Sequence, residues 1–559
     1  MFSPIRKIFL FLFSFVFLQA ASAQKLSAGP QVLTFFSDAD DTEQPYGLYL
    51  PQNYDAAKKY PLVIMLHGAG SNHRLALRRV FGKSNANGET DVEATRYFPE
   101  WKDVEYIVAS PLARGTAGYQ GIPEKDVYDV LADVKKRFSV DEDRVYLTGL
   151  SMGGGGTLWL GLSRPDVWAA IAPVCPAPPR GTEALAHNAL NYPVYFFQGG
   201  ADPVVRPEGT RQWVQRLQAL GTNVQYDEYP GVQHDSWVPA YKDGQIFNWF
   251  DTIRRNPHPT RVRFTSDQYK YNKAYWVTLD ALTPGTHASI DAAFTKSNSI
   301  QIKTTALDAF TLNLTGHPQY KEGNALQVTV DGQLLKATAR GEMSFKKEGD
   351  KWVQGRYLPT ETAKRKGAEG PLYAAFSGRH VYVYGTRDNP SPQELQKRMQ
   401  TALQAANWSV YRGEFLGRMQ LYPRVLADKE VRPSDLQSAN LILFGTKETN
   451  NIIHQYSAQL PLHLDSGATA AYGLFYVYPL NGNYVAVSSG LPWWAGSEQQ
   501  GGFSFVPAAQ GALNGLKDYL LFKDAAKNKV AEGYFNNHWK LPAGVQSTIK
   551  ATGAVVLQP

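Results

Sequence analysis

The sequence predicts an α/β fold for its first half, a small β-sandwich-like module behind it and a second α/β domain at the rear. Three observations carry this. Between about Gln31 and Pro257, apolar runs of strand length alternate with stretches of helical spacing, the mark of a sheet flanked by helices. From about Arg261 to Gly355 the pattern changes to period two, with Ile300/Ile302, Phe310/Leu312/Leu314 and Leu326/Val328/Val330 alternating with polar residues. From about Gly370 to Pro542 strands and helices alternate again. The corresponding division is 24–257, 258–360 and 361–559, behind an N-terminal segment 1–23.

That first segment reads as a secretory signal. Arg6 and Lys7 precede the apolar run Ile8–Leu18, and Ala21-Ser22-Ala23 marks cleavage before Gln24. The run is shorter than the roughly 20 residues of a membrane span, so a secreted or periplasmic protein is expected. In the first domain the strand runs are Leu62–Leu66, Tyr106–Ala109, Val145–Leu147, Val194–Phe197 and Val224–Tyr229. The helix Glu124–Phe138 buries Val127, Val130, Leu131, Val134 and Phe138 on one face. In the second module, Val330-Asp331-Gly332-Gln333 and Glu348-Gly349-Asp350 are hairpin turns. In the third, His380–Tyr384 and Leu441–Phe444 are strands, and Leu474–Tyr478 pairs with Tyr484–Val487 across Asn481-Gly482. Ser391–Asn407 is a helix with Leu395, Met399, Leu403 and Ala406 inward.

Composition narrows the function classes. The 57 Lys+Arg and 50 Asp+Glu give a net charge of +7, or +5 once Arg6 and Lys7 are removed, with no basic stripe for a nucleic acid. Lys364-Arg365-Lys366, a tight basic run, reads as a solvated linker. The single cysteine, Cys175, ends a buried strand and reads as a packed thiol, so no internal disulfide forms. Asp38, Asp40 and Asp41 lack the spacing of a calcium loop, and Gly445-Thr446-Lys447 lacks that of a phosphate loop. No metal or cofactor is expected.

The chemistry is carried by Gly149-Leu150-Ser151-Met152-Gly153, set between the strand run Val145–Leu147 and an apolar helix. Strand, Gly-x-Ser-x-Gly and helix together form the nucleophile elbow of an α/β-hydrolase, in which glycines permit a turn too tight for side chains. A serine is a weak nucleophile and needs a base, which in turn needs an orienting carboxylate. In this fold the chain order is serine, acid, histidine. His67, His73 and His187 precede the expected acid, and His258 lies in the linker Asn256-Pro257-His258-Pro259; His234, in the turn after Val224–Tyr229, remains. Asp202 follows strand Val194–Phe197 in a Gly-rich turn, whereas Asp166 closes a helix, Asp227 lies mid-strand and Asp235 is a sequence neighbour of the base. For the oxyanion, the backbone N–H groups of Met152 and Ala69 are selected, with Gly68 the substitute; His67 is a loop brace. Arg114, in the loop after Tyr106–Ala109, is placed at the rim of the site, and Trp237 and Tyr241 either wall it or pack in the core. The short connection from Ala172 to Tyr192 leaves no room for a cap.

Leu66-His67-Gly68, Gly149–Gly154, Asp202-Pro203-Val204-Val205 and Pro230-Gly231-Val232-Gln233-His234 resemble secreted bacterial esterases: feruloyl esterases, acetylxylan esterases and polyhydroxybutyrate depolymerase-like proteins. Features are shared with the catalytic domain of prolyl oligopeptidase-like peptidases. The resemblance covers about residues 40–255. It implies hydrolysis of carboxylic esters, such as acetyl or feruloyl groups on plant polysaccharide, through an acyl-enzyme. The depolymerases' disulfides and the oligopeptidases' propeller are missing. Two other functions stay open: a peptidase of the oligopeptidase type, and an inactive hydrolase fold serving as a glycan-binding scaffold.

Overall fold

The computed structural model describes residues 27–338, 341–408, 421–497 and 507–558. The signal segment expected at 1–23 lies outside them. Three sheet systems follow one another along the chain.

The first is a sheet of eight strands: β1 (Gly29–Ser37), β2 (Thr42–Leu50), β3 (Tyr60–Leu66), β4 (Ile107–Pro111), β5 (Val140–Leu150), β6 (Ala170–Val174), β7 (Val194–Gly199) and β8 (Val224–Tyr229). Their order is β1-β2-β4-β3-β5-β6-β7-β8. β2 runs antiparallel to β1 and β4, and the strands from β4 onward are parallel. Strand periodicity builds both layers. In β3, Leu62, Ile64 and Leu66 pack with Val127, Val130, Val134, Leu158 and Leu162, the buried faces of α3 (Ile122–Arg137) and α4 (Met152–Ser163); these join α1 (His73–Val80) and α2 (Asp91–Ala94) in chain order. Val63 and Met65 point the other way, into Leu77 and Val80 of α1 and Phe247 and Phe250 near the domain's end. A parallel strand buried on both faces reads as an unbroken apolar run, as β3 does.

The second system is a pair of five-stranded sheets enclosing one core. One runs Lys273–Ala274, Val277–Leu282, Leu307–Asn313, Glu342–Glu348, Lys351–Gln354; the other runs Gln333–Thr338, Ala325–Val330, Ser299–Thr305, Ala288–Lys296, Arg261–Ser266. Ile300, Ile302, Phe310, Leu312, Val328 and Val330 meet between them. Both expected hairpins form, pairing Val330 with Gln333 and Glu348 with Lys351.

The third is a mixed seven-stranded sheet ordered Arg424–Ala427, His380–Tyr384, Asn440–Phe444, Asn483–Gly490, Tyr472–Leu480, Tyr519–Lys523, Lys529–Gly533. Its helix Pro392–Ala406 differs from the expected inward set: Leu403 is 41% exposed, while Ala402 and Ala405 are buried. Steps of four overshoot the 3.6-residue turn, so the contact stripe passes from Met399 to Ala402 and leaves Leu403 outside. Lys364 corrects the solvated-linker reading. It is buried, its ammonium bonds Asp518 and the Glu369 carbonyl oxygen (2.8 Å), and its N–H reaches Asn537 O at 2.8 Å.

Candidate active site

Ser151 sits between β5 and α4 with φ 55° and ψ −116°, a left-handed strain that pushes its hydroxyl out of the sheet. The surrounding glycines make that turn possible. A methyl on Gly153 would overlap the carbonyl oxygens of Leu66 and His67, and one on Gly155 would overlap Ala177 O. The backbone is pinned on both sides, since Ser151 N–H donates to Val174 O (2.9 Å) and its carbonyl accepts from Gly155 and Ala177 N–H (2.9 and 3.2 Å).

Asp202 and His234 arrive from the loops after β7 and β8, at the carboxyl edge of the sheet. Nε2 of His234 stands 3.0 Å from Ser151 Oγ, and Nδ1 stands 2.8 Å from Asp202 Oδ2. Asp202 is buried and its other oxygen accepts Val204 and Val205 N–H at 2.8 and 2.9 Å. With Nδ1–H donating to the carboxylate, Nε2 is left as an acceptor facing the serine hydroxyl, the geometry that proton removal from Ser151 needs. The fourth elbow neighbour is Cys175, whose sulfur lies with the Asp202 and His234 donor atoms inside a 4.8 Å cluster. Burial pushes its thiol up to about 12.

The oxyanion candidates lie on either side of Ser151. Met152 is the first residue of α4, where an N–H has no partner within the helix. In the loop after β3, Gly70 N–H is engaged by Thr116 Oγ1 (3.0 Å) and Ser71 N–H by Gly68 O (3.2 Å); Ala69 N–H has no partner among the described residues. His67 braces this loop, as expected. It is fully buried, with Nδ1 2.8 Å from Gly68 O and Nε2 2.8 Å from Leu112 O, and burial lowers its pKa.

Of the three residues considered for the rim, two belong elsewhere. Arg114 has no exposed surface. Its guanidinium bonds Asp126 and Asp40 at 2.6 Å each and Ser37 Oγ at 2.6 Å. Burial opposes its charge, but the two carboxylates outweigh that and raise its pKa. Because Asp40 also accepts Tyr422 N–H (3.1 Å), the cluster ties β1–β2 and α3 to the rear domain. Tyr241 is likewise core: its hydroxyl lies 2.7 Å from Thr148 Oγ1, under the sheet. Of the three, Trp237 borders the site. Its ring meets His234 edge to face at 5.6 Å, and it lines, with residues 231–235, a cavity of about 550 Å³.

Sequence reasoning missed two supports. Gln198 bonds Asp202 Oδ2 (3.3 Å) and Val205 O (2.9 Å) and accepts from Thr210, holding the acid's loop. A lone amide at the end of the apolar run Val194–Phe197 was its only signal. Arg79 lies 5.2 Å over the Trp237 ring and 3.4 Å from Ser71 Oγ, and nothing in the helical pattern of α1 distinguished it.

Residues 37–243 match the family described as "Putative esterase". Over 204 residues the chain is 25% identical to feruloyl esterase D of Neurospora crassa, covering 35% of this chain and 68% of that protein. It is 26% identical over 200 residues to the "Probable feruloyl esterase C" of Aspergillus oryzae, covering 35% and 69% respectively. An 84-residue stretch, 14% of this chain and 15% of the relative, is 39% identical to a poly(3-hydroxybutyrate) depolymerase of Ralstonia pickettii. Residues 37–243 therefore form an esterase domain on an α/β-hydrolase sheet that is similar to the feruloyl esterases, and the chain is a serine-class hydrolase of carboxylic esters.

Proposed function

We propose that the protein is an exported serine esterase that removes acetyl or feruloyl groups from plant polysaccharide through an acyl-enzyme. The observation that carries this reading is the unbroken relay from Ser151 Oγ through His234 to Asp202, at 3.0 and 2.8 Å. Ser151 attacks the ester carbonyl as His234 takes its proton. Asp202 fixes the imidazole tautomer and stabilises the imidazolium. The N–H groups of Met152 and Ala69 receive the oxyanion, His234 protonates the departing alcohol, and the acyl group stays on Ser151. Water enters, loses a proton to His234 and attacks the acyl carbonyl; collapse releases the acid as His234 returns the proton to Ser151 Oγ. The open cavity bordered by Trp237 suits an acyl group carried on a large alcohol.

The test is release of free acid from acetylated xylan and feruloylated arabinoxylan, run beside peptide p-nitroanilides. Acetate or ferulate release with inert peptides is expected. Cleavage of the peptides alone would replace this reading with a peptidase.

A further inference from the structure

Away from Ser151, a cavity of about 440 Å³ opens where all three parts of the chain meet, within the roughly 300–1,000 Å³ of small-ligand sites. Gln120 and Trp159 come from the first domain, Tyr271 from a turn within the sandwich, and Tyr373 and Tyr484 from the rear domain. A second cavity of about 220 Å³ adjoins it, sharing Gln120, Trp159, Gln268 and Tyr271, and reaches Arg180. Arg180 follows Ala177, whose N–H bonds the Ser151 carbonyl oxygen. The joined groove thus leads from the loop behind Ser151 to the rear domain. Helical rise sets Trp159 about 12 Å along α4 from Ser151.

The lining that the two cavities share is built rather than incidental. Tyr271 OH (2.6 Å), Lys270 Nζ (3.1 Å) and Trp159 Nε1 (3.4 Å) converge on Oε2 of Glu124, a side chain with no exposure whose Oε1 has no hydrogen-bond partner among the described residues. Two phenols keep capacity for a ligand. Tyr373 OH has no partner among the described residues. Tyr484 OH accepts from Glu369 and Gly370 N–H (2.6 and 3.3 Å), which leaves its proton to donate. The amides of Gln120 and Gln268 both donate and accept. Lys270 is paired with Glu124, and the other cations, Lys366 and Arg180, line separate cavities rather than converge on an anion. Aromatic walls with hydroxyl and amide groups match a ligand with C–H faces and many hydroxyls.

We propose that this groove binds a neutral oligosaccharide, the sugar chain that carries the ester; it rests on the esterase reading only for what the bound chain bears. It gives the rear domain a role in holding substrate and makes the interdomain junction a binding site.

The test uses the full chain carrying Ser151→Ala, titrated calorimetrically with unesterified xylohexaose and cellohexaose. Binding of at least one sugar is expected, weakened about tenfold or more by Gln120→Ala and by Tyr373→Ala. With Ser151 intact, the same changes raise KM for acetylated xylohexaose by a similar factor and leave kcat, and turnover of p-nitrophenyl acetate, near the parent's. Tyr373→Phe, which removes only the hydroxyl, guards against a folding effect and weakens binding in the same direction. No binding of either sugar at millimolar concentration, or binding unchanged in all three variants, overturns the proposal even where p-nitrophenyl acetate is hydrolysed. Failure of p-nitrophenyl acetate turnover overturns the esterase reading instead, and the calorimetry still judges the groove.

Discussion

Asp202 divides its two oxygens between two tasks: Oδ2 holds His234 Nδ1 at 2.8 Å, and Oδ1 takes the N–H groups of Val204 and Val205 at 2.8 and 2.9 Å. The carboxylate is thereby fixed in place before any substrate arrives. Asp202→Asn keeps the shape but offers an amide where His234 needs an acceptor, turning the imidazole to the tautomer that cannot accept from Ser151. A fall in kcat of about 10⁴-fold is expected, with the melting temperature close to the parent's. Steady-state kinetics on p-nitrophenyl acetate check this; activity within a few fold of the parent would remove Asp202 from the relay.

Arg114 is expected to act on stability and not on substrate. Its removal leaves Asp40 and Asp126 buried without their shared cation, a loss on the order of 3–5 kcal/mol. Urea unfolding of Arg114→Ala should show that loss, while KM for p-nitrophenyl acetate stays near the parent's in the folded fraction. A many-fold rise in KM at unchanged stability would return Arg114 to the rim of the site.

Arg114 also marks where sequence reading stopped. Strands β3, β4, β5, β7 and β8 of the first sheet, the elbow at Ser151 and the loop positions of Asp202 and His234 were legible because each depends on local pattern: an apolar run of strand length, glycines at a tight turn, a loop after each strand. Arg114 and Tyr241 lie in equally plausible loop and helix positions. What buries them is the packing of Asp40 and Asp126 around one and Thr148 beneath the other, contacts between residues far apart in the chain. The same holds for Lys364, whose partner Asp518 lies in another part of the rear domain. Gln198, beside the acid, was visible only as an amide in an apolar strand.

Cys175 offers a pH-dependent check on the elbow's interior. It is wholly buried, and its thiol is pushed up to about 12 by that burial against an ordinary 9.0. The fold therefore favours the neutral thiol. Its contribution to stability is present below about pH 9 and is lost as pH rises from there toward 12, because the unfolded chain ionises first. At pH 8, iodoacetamide should leave the folded protein unmodified and fully active, and alkylate Cys175 readily in urea. Rapid alkylation of the native protein would contradict the burial of Cys175 at the end of β6.

The relay and the oxyanion donors both presuppose that Ser151 is the nucleophile of an ester hydrolase. The most direct measurement is p-nitrophenyl acetate turnover by the full chain and by Ser151→Ala, paired with fluorophosphonate labelling mapped by mass spectrometry. Turnover in the parent, a fall of about 10³-fold or more in the variant, and label on Ser151 alone are expected. Undiminished turnover in Ser151→Ala, or label on a different serine, would contradict it.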